Sequence, residues 1–214
     1  AVLSDPHPKL RAAAARALGD ARDPRVSPRL ITCLDDAPAV MTAAADALRR
    51  LRNPQAVRPL WLALVRLANT PNPGSDIQAA RQALLEAMYS QRSAVTTDLC
   101  TALADQDARV WQAAVQGLWW FPDARAVPRL VPLLRDPSST RRAQVAAILG
   151  ALADARALGA LIDASTDPDP SVRAVAAWAL GEIGDPQAQP ALRVALADLN
   201  PEVRLAAVQA TRAC

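Results

Sequence analysis

The feature that most constrains the fold of this chain is an internal repeat with a period of thirty-one positions. This spacing joins Asp123, Asp154 and Asp185, and it also joins Asp105, Asp136, Asp167 and Asp198. Six positions after each member of the second series stand Trp111, Arg142, Arg173 and Arg204. A period of this length indicates an array of supersecondary units, each of which buries its core against its neighbours.

The amino-terminal copies follow the same rule with one interruption. Asp5 precedes Arg11 by six positions, and Asp35 precedes Met41 by six positions. The distance from Asp35 to the next regular aspartate, Asp105, is two periods plus eight positions. We therefore expect a loop insertion over residues 68–76, in the segment ANTPNPGSD.

Each period contains two helical patterns. In the first, apolar residues recur at three- and four-residue spacing, as in VPRLVPLL at 127–134. In the second, turn residues such as DPDPS at 167–171 precede an alanine-rich stretch, whose small side chains let helices approach closely. Glycines are expected to help end these helices, at Gly19, Gly150, Gly181 and Gly184. The sequence thus predicts an all-α protein, with residues 1–214 forming a single solenoid of six or seven stacked helix pairs.

Two of the units resemble those of a known family. DPHPKLRAAAARALGDARDP (5–24) and DPDPSVRAVAAWALGEIGDPQAQPALRVAL (167–196) resemble HEAT repeats, and most closely the short, alanine-rich subgroup first noticed in phycobilisome lyases. The resemblance covers essentially the whole chain and is weaker between Thr70 and Ser93. It implies a right-handed α-solenoid, and it leaves function open because the family includes scaffolds, transport receptors, lyases and regulatory subunits.

The resemblance also implies a structural role for the aspartates and arginines. In such solenoids the turn aspartate and the arginine at the start of the second helix form a ladder between stacked units. The matching pairs in this sequence are Asp5/Arg11, Asp136/Arg142, Asp167/Arg173 and Asp198/Arg204. We expect the ladder to lapse at Met41, near Gln78 and at Trp111.

The two ends of the sequence do not resemble polar capping units, which solenoids use to protect their exposed ends. The chain begins with AVLSDP, which is similar to the tail of a first helix, and it stops where a second helix finishes. We expect it to be a segment of a longer protein or of a longer array.

The sequence contains no pattern typical of catalysis. His7 is the only histidine, which excludes a histidine-based metal site and disfavours a catalytic triad. Most of the 18 aspartates fall at turns and helix starts, where they cap the backbone; Asp46, in mid-helix, is expected to be a solvated polar residue. Cys33, Cys100 and Cys214 lack metal-type spacing. We therefore expect no enzyme activity, no metal and no cofactor.

Charge and hydropathy exclude further classes. The formal net charge is +3 and is spread along the chain, so the clustered basic charge of a nucleic-acid-binding surface is missing. The sequence has no long apolar run and no signal-like amino terminus. We expect no membrane association, and a reducing, cytoplasmic setting fits the cysteines best.

A surface for partner binding follows from the family resemblance, which implies that the second helices line the concave side. Outward positions there form two rows: Arg16, Asp46, Gln116, Ala147, Trp178 and Gln209; and Asp20, Arg50, Trp120, Ala151, Glu182 and Ala213. We expect Trp120 and Trp178 to flank a groove with an alanine floor, where a partner helix or an extended peptide could dock. Packing within the fold is the alternative for both. The candidate set is completed by Arg16, Arg50, Arg109, Gln116 and Glu182.

The other tryptophans are interpreted as packing residues. Trp111 takes a ladder position, Trp119 aligns with a helix-ending glycine and is expected to fill a gap before Phe121, and Trp61 is expected in the core or on the convex surface.

Together these observations predict a non-catalytic scaffold that binds a protein or peptide partner through its concave face. The first alternative is a subunit or chaperone of a chromophore lyase. The second is a solenoid that binds nucleic acid with Arg16, Arg50, Arg109 and the tryptophans.

Overall fold

The computed structural model describes residues 2–68, 70–71, 73–105 and 107–211, and these residues form α-helices and short 3₁₀ turns without any β-strand. Contacts divide the chain into two compact units, Ala1–Gly117 and Leu118–Cys214. Each unit is a stack of helix pairs, which confirms the predicted all-α solenoid class.

The first unit stacks its helices in the order of the repeats. Its helices are α1 (Pro8–Asp20), α2 (Ser27–Thr32), α3 (Pro38–Leu51), α4 (Val57–Ala68), α5 (Ser75–Tyr89), α6 (Arg92–Ala102) and most of α7 (Ala108–Trp120). The second helices α1, α3 and α5 pack on one another in that order. The first helix α2 packs on α3, and α4 packs on α5 and α6. Buried alanines such as Ala15, Ala44 and Ala80 keep these helices close.

The second unit continues the same alternation after the last residues of α7. Its helices are α8 (Val127–Leu130), α9 (Ser139–Leu152), α10 (Leu158–Ala164), α11 (Pro170–Ile183), α12 (Gln189–Ala195) and α13 (Pro201–Ala210). The second helix α11 packs between α9 and α13. The first helix α8 is short, and Val131–Arg135 continues it as a 3₁₀ turn, because Pro132 has no N–H to donate to the carbonyl four residues earlier and its ring clashes with that carbonyl.

The regular aspartates start the first helices, as the sequence predicts. A 3₁₀ turn precedes most first helices, and the side chain before the turn accepts a hydrogen bond from the backbone N–H two residues later. The residues that cap in this way are Asp23, Asn53, Asp123, Asp154 and Asp185. An N-terminal cap of this kind stabilises a helix by about 1 kcal/mol.

The role predicted for the glycines is wrong in three of four cases. Gly184 ends α11 in the left-handed region with a φ of 68°. Gly19, Gly150 and Gly181 instead lie inside α1, α9 and α11, where neighbouring helices touch. A Cβ on Gly181 would lie 2.6 Å from Cα of Ala210, and one on Gly19 would lie 2.6 Å from Cβ of Ala47. These positions need glycine because the next helix occupies the space of a side chain.

The predicted insertion over 68–76 lies between α4 and α5. Ala68 is the last residue of α4 and Ser75 is the first residue of α5, so the connection is shorter than predicted, and Asn69 and Asn72 lie outside the described residues. The guanidinium group of Arg81, on α5, donates hydrogen bonds to the carbonyl groups of Leu67 and Thr70. This contact ties the connection to the helix that follows it.

Candidate functional site

The arginines of the ladder join successive repeats. Arg142 donates from Nε and Nη2 to both carboxylate oxygens of Asp167 at 2.8 Å, and Arg173 binds Asp198 in the same way at 2.8 and 2.9 Å. The Nη1 atom of each arginine donates to the backbone carbonyl of the aspartate six residues before it. The predicted pairs are therefore backbone contacts, and the ion pairs reach forward to the aspartate of the next repeat. Arg11 and Asp5 form the same backbone contact, and so do Arg204 and Asp198.

The first rung of the ladder corrects the assignment of Asp35. Arg11 binds Asp36 through two hydrogen bonds of 2.6 and 2.7 Å, whereas Asp35 forms an exposed ion pair with Arg66. Asp36 stands one full period after Asp5, so the true register was present in the sequence but hidden by two adjacent aspartates. The ladder arginine is consequently replaced by Thr42, and Met41 is a buried core residue.

Two tryptophans pack in the first unit, as predicted. Trp111 is 4% exposed, and Trp61 is fully buried. The indole N–H of Trp61 donates to the Asp98 carboxylate at 2.8 Å.

An open groove lies on the second helices of the second unit and has a volume of about 380 Å³. Trp119 and Trp178 line it together with small or apolar side chains and two polar residues: Ala147, Ala174, Val175, Glu202, Leu205, Ala206 and Gln209. The three helices α9, α11 and α13 supply all of these residues except Trp119, which stands on the last turn of α7. Of the two alanines expected to form the floor, Ala147 lines the groove and Ala151 does not.

The structure corrects the choice of the second aromatic residue. Trp119 is 47% exposed and lines the groove, so it does not fill a gap before Phe121. Trp120 is half-buried and is not among the residues that line the groove. Since the two positions are adjacent on a helix, they point about 100° apart.

Trp178 also lines a smaller hollow of about 140 Å³, which shares Trp178 and Gln209 with the groove. Gly181, Glu182, Gln209 and Ala210 line the small hollow together with Trp178. The indole rests against α9, because a Cβ on Gly150 would lie 2.7 Å from its Cζ3 atom. Of the predicted site residues, Trp178 and Glu182 are thus brought together in one hollow.

The other predicted site residues belong to the first unit. Arg16 and Arg109 are exposed, and Arg50 forms an ion pair with Asp20. Gln116 is half-buried, and its Oε1 atom has no hydrogen-bond partner in the described part of the chain.

The described residues contain no cluster of three or more potential metal ligands. Cys33 and Cys100 are buried, and burial raises the pKa of the Cys33 thiol, which makes it a poor nucleophile at neutral pH. None of the described helices has the length and apolar character that crossing a membrane requires.

Two further concavities lie elsewhere. One of about 440 Å³ lies in the second unit between first helices, and its lining includes Arg135, Asp163 and Asp167. One of about 830 Å³ lies beside α1 in the first unit. Neither contains an aromatic side chain, so the groove of Trp119 and Trp178 is the strongest candidate for a binding site.

These features define a helical-repeat protein with an open, largely apolar groove on one row of helices. The chain belongs to the family described as HEAT repeats, whose sequence profile matches residues 1–85, 96–168 and 160–212. This confirms the resemblance seen in the sequence.

Solved structures show the same fold. The chain is similar to human deoxyhypusine hydroxylase in complex with glycerol, with 22% identity over 99% of this chain and 81% of that chain and a TM-score of 0.50. It is similar to a designed armadillo repeat protein in complex with the peptide (KR)4, with 19% identity over 87% and 98% and a TM-score of 0.51. The complex of CpcE and CpcF of phycocyanin lyase from Nostoc matches with 22% identity over 96% and 74% and a TM-score of 0.37. No curated protein matched the sequence.

Proposed function

We propose that the chain is a non-catalytic scaffold that binds a peptide segment of a protein partner in the groove of Trp119 and Trp178. The observation that carries the proposal is the exposure of Trp119, which leaves 47% of a large apolar side chain in water in a groove that a second indole also lines. Clusters of aromatic side chains in a concave surface are typical of binding hot spots.

The chemistry of the groove favours a chain with apolar side chains. Its floor consists of small residues, and Leu205 is 53% exposed beside it. Burying apolar surface of this kind yields about 25 cal/mol per Å². A stack of helices of this kind can hold a peptide, since the designed armadillo repeat protein of similar fold is described in complex with one.

The proposal is tested by selecting peptides from a displayed random library on the wild-type protein. We expect the selected peptides to lose about tenfold or more in affinity for Trp119→Ala and for Trp178→Ala. Leu199→Ala is the matched control, because Leu199 is 97% exposed and lies outside the groove. Equal affinity of all three variants and the wild type would place the binding surface elsewhere, with the 68–76 connection as the next candidate.

The two alternatives from the sequence predict different behaviour. A bound nucleic acid would dissociate steeply as salt rises, but the groove carries an acidic side chain, Glu202, and no basic one, which disfavours phosphate. A role beside a chromophore lyase would produce a change in visible absorption when the protein is mixed with the pigment.

A further inference from the structure

The small hollow beside Trp178 has the lining of a seat for a cation. Its lining consists of one indole, Trp178, two polar side chains, Glu182 and Gln209, and two small residues, Gly181 and Ala210. Its volume of about 140 Å³ admits a single side-chain head group. Aromatic faces attract cations through their quadrupole, and a carboxylate adds a charge-assisted hydrogen bond.

The indole and the carboxylate are held on the same side of α11. Glu182 follows Trp178 by four residues, which places the two side chains next to each other one helical turn apart. The close approach of α9 at Gly150 limits how far the indole can move on its other edge. The Trp178 indole is therefore held in position before a ligand binds.

The groove and the hollow are acidic, although the second unit as a whole is neutral. Residues 118–214 contain ten acidic and ten basic side chains, yet the groove and the hollow are lined by Glu202 and Glu182 and by no arginine. The aspartates of the repeat are engaged in caps and in the ladder. The carboxylates of Glu182 and Glu202 form no ion pair within the described residues, so they remain open to a basic partner.

We propose, on the basis of the function proposed above, that the partner segment is basic and seats an arginine side chain in the small hollow. The guanidinium group stacks on the indole of Trp178 and donates hydrogen bonds to the Glu182 carboxylate and the Gln209 amide oxygen. A planar guanidinium can stack on the ring and donate several hydrogen bonds at once, which the compact ammonium of lysine does less well. An apolar side chain of the same segment lies in the groove beside Trp119 and Leu205.

The groove and the hollow adjoin each other, because Trp178 and Gln209 line both of them. Neighbouring side chains on one face of a bound segment can therefore occupy the two sites. In an extended chain, alternate side chains on the same face are about 6.6 Å apart. The segment therefore carries its apolar residue two positions from its arginine.

The test uses two synthetic peptides that differ in the charge of one side chain: acetyl-leucyl-alanyl-arginyl-alanyl-leucinamide and the same peptide with citrulline, which is uncharged, in place of arginine. Binding is followed by titration of the indole N–H resonances at millimolar peptide. We expect the arginine peptide to bind the wild type about tenfold more tightly than the citrulline peptide, with the Trp178 resonance shifting most.

Glu182→Gln and Glu202→Gln remove the same charge from the same unit, but only Glu182 lines the small hollow. We expect the preference for arginine to disappear in Glu182→Gln and to persist in Glu202→Gln. An equal loss of the preference in both variants would mean that the two carboxylates act only through their general negative charge. This result would refute the proposed arginine site. Equal binding of both peptides by the wild type, weakened by Trp119→Ala, would overturn the seat and leave the groove standing. If neither peptide shifts any indole resonance, the arginine site is refuted, and the library selection described above decides the groove independently.

Discussion

The substitution Gly150→Ala tests how tightly the second helices of this solenoid are packed. A Cβ on Gly150 would lie 2.7 Å from Cζ3 of Trp178 and 2.8 Å from Cα of Ala179. Carbon atoms pack at about 3.5–4.0 Å, so the new methyl group needs roughly 0.7 Å or more of additional space. The indole can turn away, but Cα of Ala179 belongs to the backbone of α11. The methyl group therefore has to push α9 and α11 apart.

The expected cost follows from two opposing effects. Overpacking a tight core destabilises by about 1–3 kcal/mol, while replacing glycine by alanine inside a helix stabilises by about 0.5–1 kcal/mol. We expect a net loss of about 1–2 kcal/mol in the free energy of unfolding. Gly159→Ala is the matched control, because Gly159 lies in α10 with no atom within 4 Å of a built Cβ. It gains helix propensity without a clash and should be neutral or stabilising by up to about 1 kcal/mol.

Urea denaturation followed by far-ultraviolet circular dichroism measures both changes, and near-ultraviolet dichroism reports the displacement of the Trp178 indole. A loss of about 1–2 kcal/mol corresponds to a midpoint lower by about 0.5–1 M urea. Gly150→Ala should lower the midpoint, whereas Gly159→Ala should leave it unchanged or raise it. If Gly150→Ala is as stable as Gly159→Ala, the helices do not approach as closely as described, and the reasoning about this contact is refuted.

Three further predictions concern the ladder and the tryptophans. Hydrogen bonds from Arg173 hold the pKa of Asp198 at about 2, below its unfolded value of about 3.9. The contribution of this ion pair to stability is therefore complete above pH 4 and is lost as the pH falls through 2. The difference in thermal midpoint between wild type and Asp198→Asn should then close between pH 4 and pH 2, and a gap that stays constant contradicts this account. Asp36→Ala should destabilise by about 1–2 kcal/mol and Asp35→Ala by less than about 0.5 kcal/mol; equal losses in urea denaturation would return the ladder to Asp35. Trp119→Ala should remove long-wavelength fluorescence with little change in thermal midpoint, whereas Trp61→Ala should cost about 3–5 kcal/mol, and a comparable loss for both would make Trp119 a packing residue.

The helix caps and the ladder arginines could be predicted from the sequence because the same residues recur in several repeats. The aspartates that recur with the period cap the first helices where the pattern places them. The arginines six residues after the second aspartate series are ladder residues, as the family resemblance implies. An interaction that recurs with the period has several copies in one sequence. It can therefore be recognised even where one repeat departs from the pattern.

The direction of the ladder could not be read from the same spacing. An arginine that follows one aspartate by six positions also precedes the next aspartate by a fixed distance, since the two distances sum to the period. The sequence therefore contains both pairings at once, and only the stacking of the repeats selects the forward carboxylate. Adjacent aspartates at 35 and 36 concealed the correct register of the first rung for the same reason.

The error at Trp119 has a different physical origin. The period aligns Trp119 with Gly150 and Gly181, which the sequence suggested were helix ends with room to fill. In the structure these glycines are points of contact between helices, where a Cβ has no space. An indole cannot occupy such a contact, so its exposure could have been inferred once the glycines were recognised as contacts.

This distinction explains where a solenoid of this kind can place a binding site. The closest contacts between second helices fall on glycine and alanine, as at Gly19 with Ala47 and Gly181 with Ala210, and many turn positions hold residues that cap a helix or form the ladder. The positions left free to vary are those that face outward from the second helices, such as 147, 178 and 209, and here they hold alanine, tryptophan and glutamine. Trp178 is an outward-facing residue whose position depends on a helix contact. Its indole lines the groove, and the edge of the indole rests on Gly150. The shape of the candidate site is therefore set partly by a residue that no ligand would touch, and a substitution at Gly150 should change recognition as well as stability.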